Sequence, residues 1–164
     1  MPSSAADVPF RTVPLDTAPF QALFATDDDA LRRLGIRRVT ATSSPGFPCR
    51  VSLRDADIGE TLLLLPHVHH DVPGPYRSSG PIYVREHAAA AAPADGELPP
   101  VLEGRQLSIR AYAENGMMRN AAVAEGEAIR GTIGALFADP KVAYLHVHNA
   151  LPGCFSCRVE RARA

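Results

Sequence analysis

The sequence predicts an α+β domain with a largely antiparallel sheet, one long helix and short N-terminal helices. Segments of alternating apolar and polar residues recur along the chain, as is typical of strands. One later segment, 120–138, instead repeats its apolar residues every three or four positions, as a helix does. The predicted order is short helices, five strands, one helix and two strands, which favours antiparallel neighbours.

Length and composition indicate one domain over residues 1–164, with enough apolar residues for a core, because 46% of the residues are hydrophobic and 21% are charged. The formal net charge of -1 argues against non-specific binding to nucleic acid or to an anionic membrane. Neither a secretory leader nor a membrane-spanning apolar run is predicted. Three cysteines are an odd number, so we expect reduced thiols and a cytoplasmic protein.

Three segments carry helix signals. Residues 26–35 have a side-chain oxygen that can cap a helix, acidic residues in the first turn, arginines in the last and a glycine just beyond. A weaker signal begins at Thr17, with a proline tolerated early in the helix. The long helix predicted over 120–138 ends at Asp139, because Pro140 disfavours helical geometry in the residue before it.

Seven segments have the period-two pattern of strands, and they are 36–40, 49–54, 61–65, 81–86, 106–112, 142–148 and 154–160. In segment 142–148, Tyr144, His146 and His148 share one face, while apolar residues occupy the other. A turn at Pro152-Gly153 then predicts that 154–160 is its antiparallel partner. The alanine-rich residues 87–100 are predicted to be a surface linker or a short helix.

Four segments resemble a known bacterial family, and they read GFPCRVSL (46–53), PYRSSGPIYVRE (75–86), LSIRAY (107–112) and VAYLHVHNALPGCFSCRVER (142–161). The family is the one defined by domain of unknown function 1203. The resemblance implies a small cytosolic domain. It brings neither an activity nor a set of site residues, so the chemistry has to be argued from the residues themselves.

The strongest chemical candidate is the pair His146 and His148, whose rings should converge on one side of a strand. They are candidate acid or base catalysts together with Tyr144. With Cys154 and Cys157 they could also form a tetrahedral zinc site. The alternative is a structural hairpin in which the cysteines are small buried hydrophobes and the histidines bond locally. A thioredoxin-like role is weaker, because that chemistry needs a helix after the CxxC and only seven residues follow Cys157.

A second histidine cluster comprises His67, His69 and His70. His67 and His69 have strand spacing, so two HxH pairs on neighbouring strands could form a four-histidine site, as in metal-dependent oxygenases or cupin barrels. The glutamate of the cupin motif is missing here. The alternative is that the histidines lie in a solvent-exposed loop, which we favour for His69 and His70.

Arginines and tyrosines within or beside the predicted strands could converge on a carboxylate or phosphate, because guanidinium groups bind planar oxyanions in a two-pronged manner. The candidate substrate-binding residues are His67, Arg77, Tyr83, Arg85 and Arg110, and Arg50, Tyr112 and Arg119 share the pattern. The alternative is that these arginines form salt bridges with acids such as Glu60.

Two functional hypotheses follow. The first is a small-molecule enzyme that acts on an anionic substrate through histidine acid–base or metal-assisted chemistry, as a hydrolase, lyase or oxygenase, with zinc as the candidate cofactor. The second is a non-enzymatic ligand-binding or self-associating module, in which an exposed strand edge pairs two copies into a homodimer.

Overall fold

The computed structural model describes residues 8–163, which form two antiparallel sheets and three α-helices. The strands are β1 (Phe10–Val13), β2 (Arg37–Thr40), β3 (Thr61–His70), β4 (Ser78–Arg85), β5 (Leu107–Tyr112), β6 (Met118–Ala124), β7 (Tyr144–Asn149) and β8 (Phe155–Arg161). The helices are α1 (Ala18–Phe24), α2 (Asp28–Arg33) and α3 (Ala128–Phe137). In the described part of the chain, no helix has the length and apolar character needed to cross a membrane.

The larger sheet has five strands in the order β1-β8-β7-β5-β6. One of its faces is apolar and packs against α3, bringing Ile109, Leu145 and Val147 together with Ile133 and Phe137. Burial of these side chains away from water is the main source of stability on this face. The opposite face of β7 carries the polar side chains, so strand alternation separates the core from the candidate site.

The smaller sheet has the order β2-β3-β4 and packs its own apolar face against the N-terminal helices, which contribute Phe20 and Leu31. Helix α2 begins as its sequence predicts, because the Asp27 carboxylate accepts a hydrogen bond from the Ala30 backbone N–H at 2.8 Å. The end of β3 meets β7 of the larger sheet, where the Tyr144 hydroxyl lies 2.7 Å from the His70 ring. The candidate site lies at this junction between the sheets.

The strand predicted over 49–54 is wrong. The chain there turns back on itself, with the Cys49 N–H bonded to the Arg54 carbonyl at 3.0 Å and Leu53 at a φ of 51°. Alternating apolar residues suggested a strand, but Val51 and Leu53 are buried by the turn itself. Only isolated bridges remain at this point, such as that between Cys49 and Tyr83.

The long helix predicted over 120–138 is also wrong in its first half. Residues 118–124 form β6, which pairs with β5, and α3 covers only Ala128–Phe137. Alanine fits a strand as well as a helix. In the strand, Ala122 and Ala124 turn inward while Val123, between them, stays exposed. Gly126, at a φ of 56°, then separates the strand from the helix.

Two further segments complete the fold. Strand β1, which no sequence pattern predicted, pairs with β8 at the edge of the larger sheet. Residues 87–99 form neither helix nor strand, and the Ala91 N–H donates to the Val51 carbonyl at 2.9 Å. A single 3₁₀ turn, Pro100–Leu102, then buries Val101 and Leu102 in the core.

Candidate functional site

A β-bulge near the end of β3 brings two consecutive histidines to the same place. Val68 pairs with Ser79 and His70 pairs with Ser78, so His69 is an extra residue with no partner on β4. In a regular strand His69 and His70 would point to opposite faces. Here the ring centroids of His69 and His70 lie 6.2 Å and 5.0 Å from that of His146 on β7.

Strand β7 contributes His146 and His148 from its polar face, as the alternation predicts. Both side chains are buried, with exposed fractions of 2% and 1%. Their neighbours are aromatic and imidazole rings, including Phe155, whose ring lies 5.0 Å from His146 and 5.8 Å from His148. The pair is therefore enclosed at the junction between the sheets.

His69, His146 and His148 form a triad, and one ring nitrogen from each lies within 4.8 Å of the others. Each ring also has a buried nitrogen that finds no hydrogen-bond partner within residues 8–163, namely Nδ1 of His69, Nδ1 of His146 and Nε2 of His148. Leaving a buried polar atom unpaired costs about 1–3 kcal/mol. A cluster of imidazole nitrogens of this kind can share one partner, and a cation is a partner that such nitrogens bind.

All three rings of the triad are neutral at physiological pH. Burial lowers the pKa of His146 to about 2 and those of His69 and His148 to about 4. Positive charge nearby, including the guanidinium of Arg110 facing His69 and His148, lowers these pKa values further. Neutral imidazoles keep the lone pair that a metal ion needs.

Hydrogen bonds fix the orientation of two neighbouring rings. His148 donates from Nδ1 to the Gly153 carbonyl at 2.9 Å, which leaves the lone pair on Nε2, the unpartnered nitrogen of this ring. His70 donates from Nδ1 to the Tyr76 carbonyl at 2.8 Å and accepts the Tyr144 hydroxyl at Nε2. His70 is therefore satisfied and lies beside the triad, and Tyr144 positions His70 through its hydroxyl.

The predicted His2Cys2 zinc site does not form. Cys157 lies opposite Val147 across the β7–β8 pair, so it shares the apolar core face, away from His146. Burial raises the pKa of its thiol to about 12, which keeps it protonated. Cys154 accepts a hydrogen bond at Sγ from Asn149 Nδ2 at 3.4 Å. His69, which we expected in a solvent-exposed loop, joins His146 and His148 instead.

Two of the predicted substrate-binding arginines lie in ion pairs elsewhere. Arg85 pairs with Glu60 at the opposite end of β3 from His70 and donates a 3.0 Å hydrogen bond from Nε. Arg77 pairs with Asp71 at 3.1 Å in an exposed position. The salt-bridge interpretation therefore describes both arginines.

Of the other predicted substrate-binding residues, Arg110 and His67 lie near the triad and Tyr83 lies on a cavity wall. Arg110 on β5 is directly opposite His146 on β7, on the same face, and no carboxylate within residues 8–163 forms a salt bridge with it. His67 lies 6.5 Å from Phe155 between ring centroids, and burial lowers its pKa. Tyr83 lines a cavity that reaches the triad.

This cavity, with a volume of about 810 Å³, lies between the two sheets and is within the usual size range of small-molecule sites. His69 is the triad member on its wall, so the triad opens to the cavity on that side. Its polar and charged lining includes Arg50 and Arg105, and the part of the chain that the structure describes contributes neither aspartate nor glutamate to it. The sequence pattern had placed Arg50 on a strand, whereas the 49–54 turn buries it beside the cavity.

The comparisons with curated proteins and with solved structures found no match for this chain. A family model described as "Protein of unknown function (DUF1203)" matches residues 46–161. That range contains the whole histidine triad and every residue that lines the cavity between the sheets. The chain therefore belongs to the DUF1203 family of proteins of unknown function.

Proposed function

We propose that this protein is a metal-dependent enzyme whose centre is the triad His69, His146 and His148. The observation that carries the proposal is the convergence of three neutral imidazoles, each with a buried nitrogen that lacks a hydrogen-bond partner. Three histidines leave a further coordination position free, as in catalytic zinc sites. Structural zinc sites are closed by four protein ligands.

The geometry supports a small transition-metal ion. Nitrogen ligands of tetrahedral zinc are about 3.4 Å apart, so the ligand atoms of the triad, which lie within 4.8 Å of one another, need to approach by up to about 1.4 Å. Side-chain rotation of the half-buried His69 is the simplest way to achieve this, because His148 is held by Gly153. An all-nitrogen set favours zinc, iron, copper or nickel over magnesium or calcium.

The surroundings of the triad favour chemistry on an oxygen of a small anionic substrate. A divalent ion bound there would act as a Lewis acid toward a substrate oxygen or a water molecule. Arg110, on the same face as His146, would stabilise negative charge that develops beside the triad. The cavity that His69 lines gives a substrate a place to bind beside the triad. Hydrolysis or a lyase reaction is the class that this arrangement supports best.

A cobalt titration of the metal-free protein tests the proposal. Co²⁺ is expected to bind with one equivalent and to give the visible bands of a low-coordinate nitrogen site. His69→Ala and His148→Ala should abolish these bands, whereas His87→Ala, at an exposed position outside the triad, should not. Added azide should shift the bands by entering the open position. No binding would overturn the metal centre, and binding without an azide shift would indicate a structural metal instead of an enzyme.

A further inference from the structure

Arg50 is a buried cation that has no carboxylate partner in the described part of the chain. Its exposed fraction is 1%, and it forms no salt bridge among residues 8–163. Nε donates to the Phe155 carbonyl at 2.7 Å, and Nη1 donates to the Pro48 carbonyl. The neighbouring Cys154 thiol is only a weak acceptor. A guanidinium stays charged, so its burial here is costly unless an anion joins it.

The cavity between the sheets is where that anion can bind, because Arg50 forms part of its wall. The other arginine on the wall, Arg105, is already neutralised, since Asp55 receives two hydrogen bonds from it at 2.7 Å and 2.9 Å. Among residues 8–163, no acidic side chain lines the cavity. Its walls therefore carry one uncompensated positive charge, which matches a ligand with one negative charge.

The remaining walls are largely apolar. Leu64, Tyr83 and Phe155 line the space together with several prolines, and the Tyr83 ring is held by Phe47 with centroids 5.2 Å apart. Such walls favour a ligand with an apolar body over a small hydrated ion. Inorganic phosphate carries more than one negative charge at neutral pH and has no apolar part. A carboxylate has a single charge and the planar shape that a guanidinium recognises.

We propose that the cavity binds a small organic monocarboxylate, with the carboxylate at Arg50 and the apolar body along Tyr83 and Phe155 towards His69. The identification of this ligand as the substrate rests on the proposed metal centre. The binding itself does not, because Arg50 and the apolar walls are present without a metal.

The test compares benzoate with benzamide, two ligands of equal shape and different charge, by calorimetric titration of the metal-free protein. Benzoate is expected to bind at least about tenfold more tightly than benzamide, which corresponds to about 1.4 kcal/mol. Arg50→Met should remove this preference. Arg77→Met, which breaks an exposed ion pair outside the cavity, should keep it.

The outcomes are separable from those of the cobalt titration. Equal affinity for benzoate and benzamide in the unmodified protein would overturn the inference, whether or not Arg50→Met folds. Tighter binding of inorganic phosphate than of benzoate would overturn the carboxylate assignment. A benzoate preference without cobalt binding would leave the anion site standing and remove its catalytic role. Cobalt binding without a benzoate preference would leave the metal centre standing and remove the anion site at Arg50.

Discussion

Acidification from about pH 7.5 to about pH 5 is expected to destabilise this protein through its buried histidines, well before most carboxylates titrate. The pKa of His146 falls from 6.5 to about 2 on folding and that of His148 to about 4, so between about pH 4 and 6.5 the unfolded chain binds more protons. The folded protein therefore has its full stability above pH 6.5, the pKa of histidine in the unfolded chain, and its free energy of unfolding decreases as the pH falls below that value. Burial lowers both pKa values most, and the neighbouring histidines and arginines lower them further.

The size of the effect follows from the fraction of unfolded histidine that is protonated. The pKa of histidine in the unfolded chain is 6.5. Each imidazole that stays neutral in the folded state therefore lowers the free energy of unfolding by about 2 kcal/mol at pH 5. His146 and His148 together cost about 4 kcal/mol, and the half-buried His69 adds less because water screens it. A typical domain has a free energy of unfolding of about 5–15 kcal/mol. Carboxylates with lowered pKa values, such as Asp55, lose their contribution only below about pH 4.

Urea unfolding of the metal-free protein, followed by circular dichroism at several pH values, measures this loss. His146→Phe removes one titrating ring and should reduce the slope by up to about 1.4 kcal/mol per pH unit. His87→Gln, at an exposed position, should leave the slope unchanged. A free energy of unfolding that stays constant between about pH 5 and 7.5 would refute the claim that the cluster is buried and neutral.

Three substitutions test separate parts of the structure. Cys157→Ser puts a hydroxyl into the apolar core and should cost about 1–3 kcal/mol in urea unfolding, while metal stoichiometry, measured by elemental analysis, stays unchanged. Tyr144→Phe leaves His70 Nε2 without its donor and should lower the free energy of unfolding by about 1–3 kcal/mol. An unchanged free energy of unfolding would contradict the hydrogen bond between the Tyr144 hydroxyl and His70. Gly116→Ala should lower the melting temperature, because Gly116 has a φ of 81° and a Cβ there would lie 2.8 Å from the Val72 side chain. An unchanged melting temperature would show that this turn accommodates a side chain.

Local signals predicted the elements that depend on local physics. Helix α2 has its cap and its charged ends within one short segment, and the structure contains it. Strand β7 alternates strictly, so the shared face of His146 and His148 follows from the sequence alone. The 120–138 prediction failed because alanine-rich residues fit a strand or a helix equally, and pairing with β5 decided between them.

The candidate site could be predicted only in part, because its remaining members depend on long-range contacts. His69 enters the triad through a bulge, which changes the register of one strand against its neighbour and leaves no local pattern. Strand β3 also runs on to His70, which removes the loop that we had expected. Arg50 lies in a turn whose residues alternate like a strand, and only the turn reveals that its side chain is buried.

The metal content of protein purified without a metal-binding affinity tag tests the central claim most directly. Elemental analysis should find about one transition-metal ion per chain in the unmodified protein and in a variant with both Cys154 and Cys157 replaced by alanine. The double variant His146→Ala, His148→Ala should contain none. Metal retained in the histidine variant, or lost in the cysteine variant, would contradict the three-histidine centre.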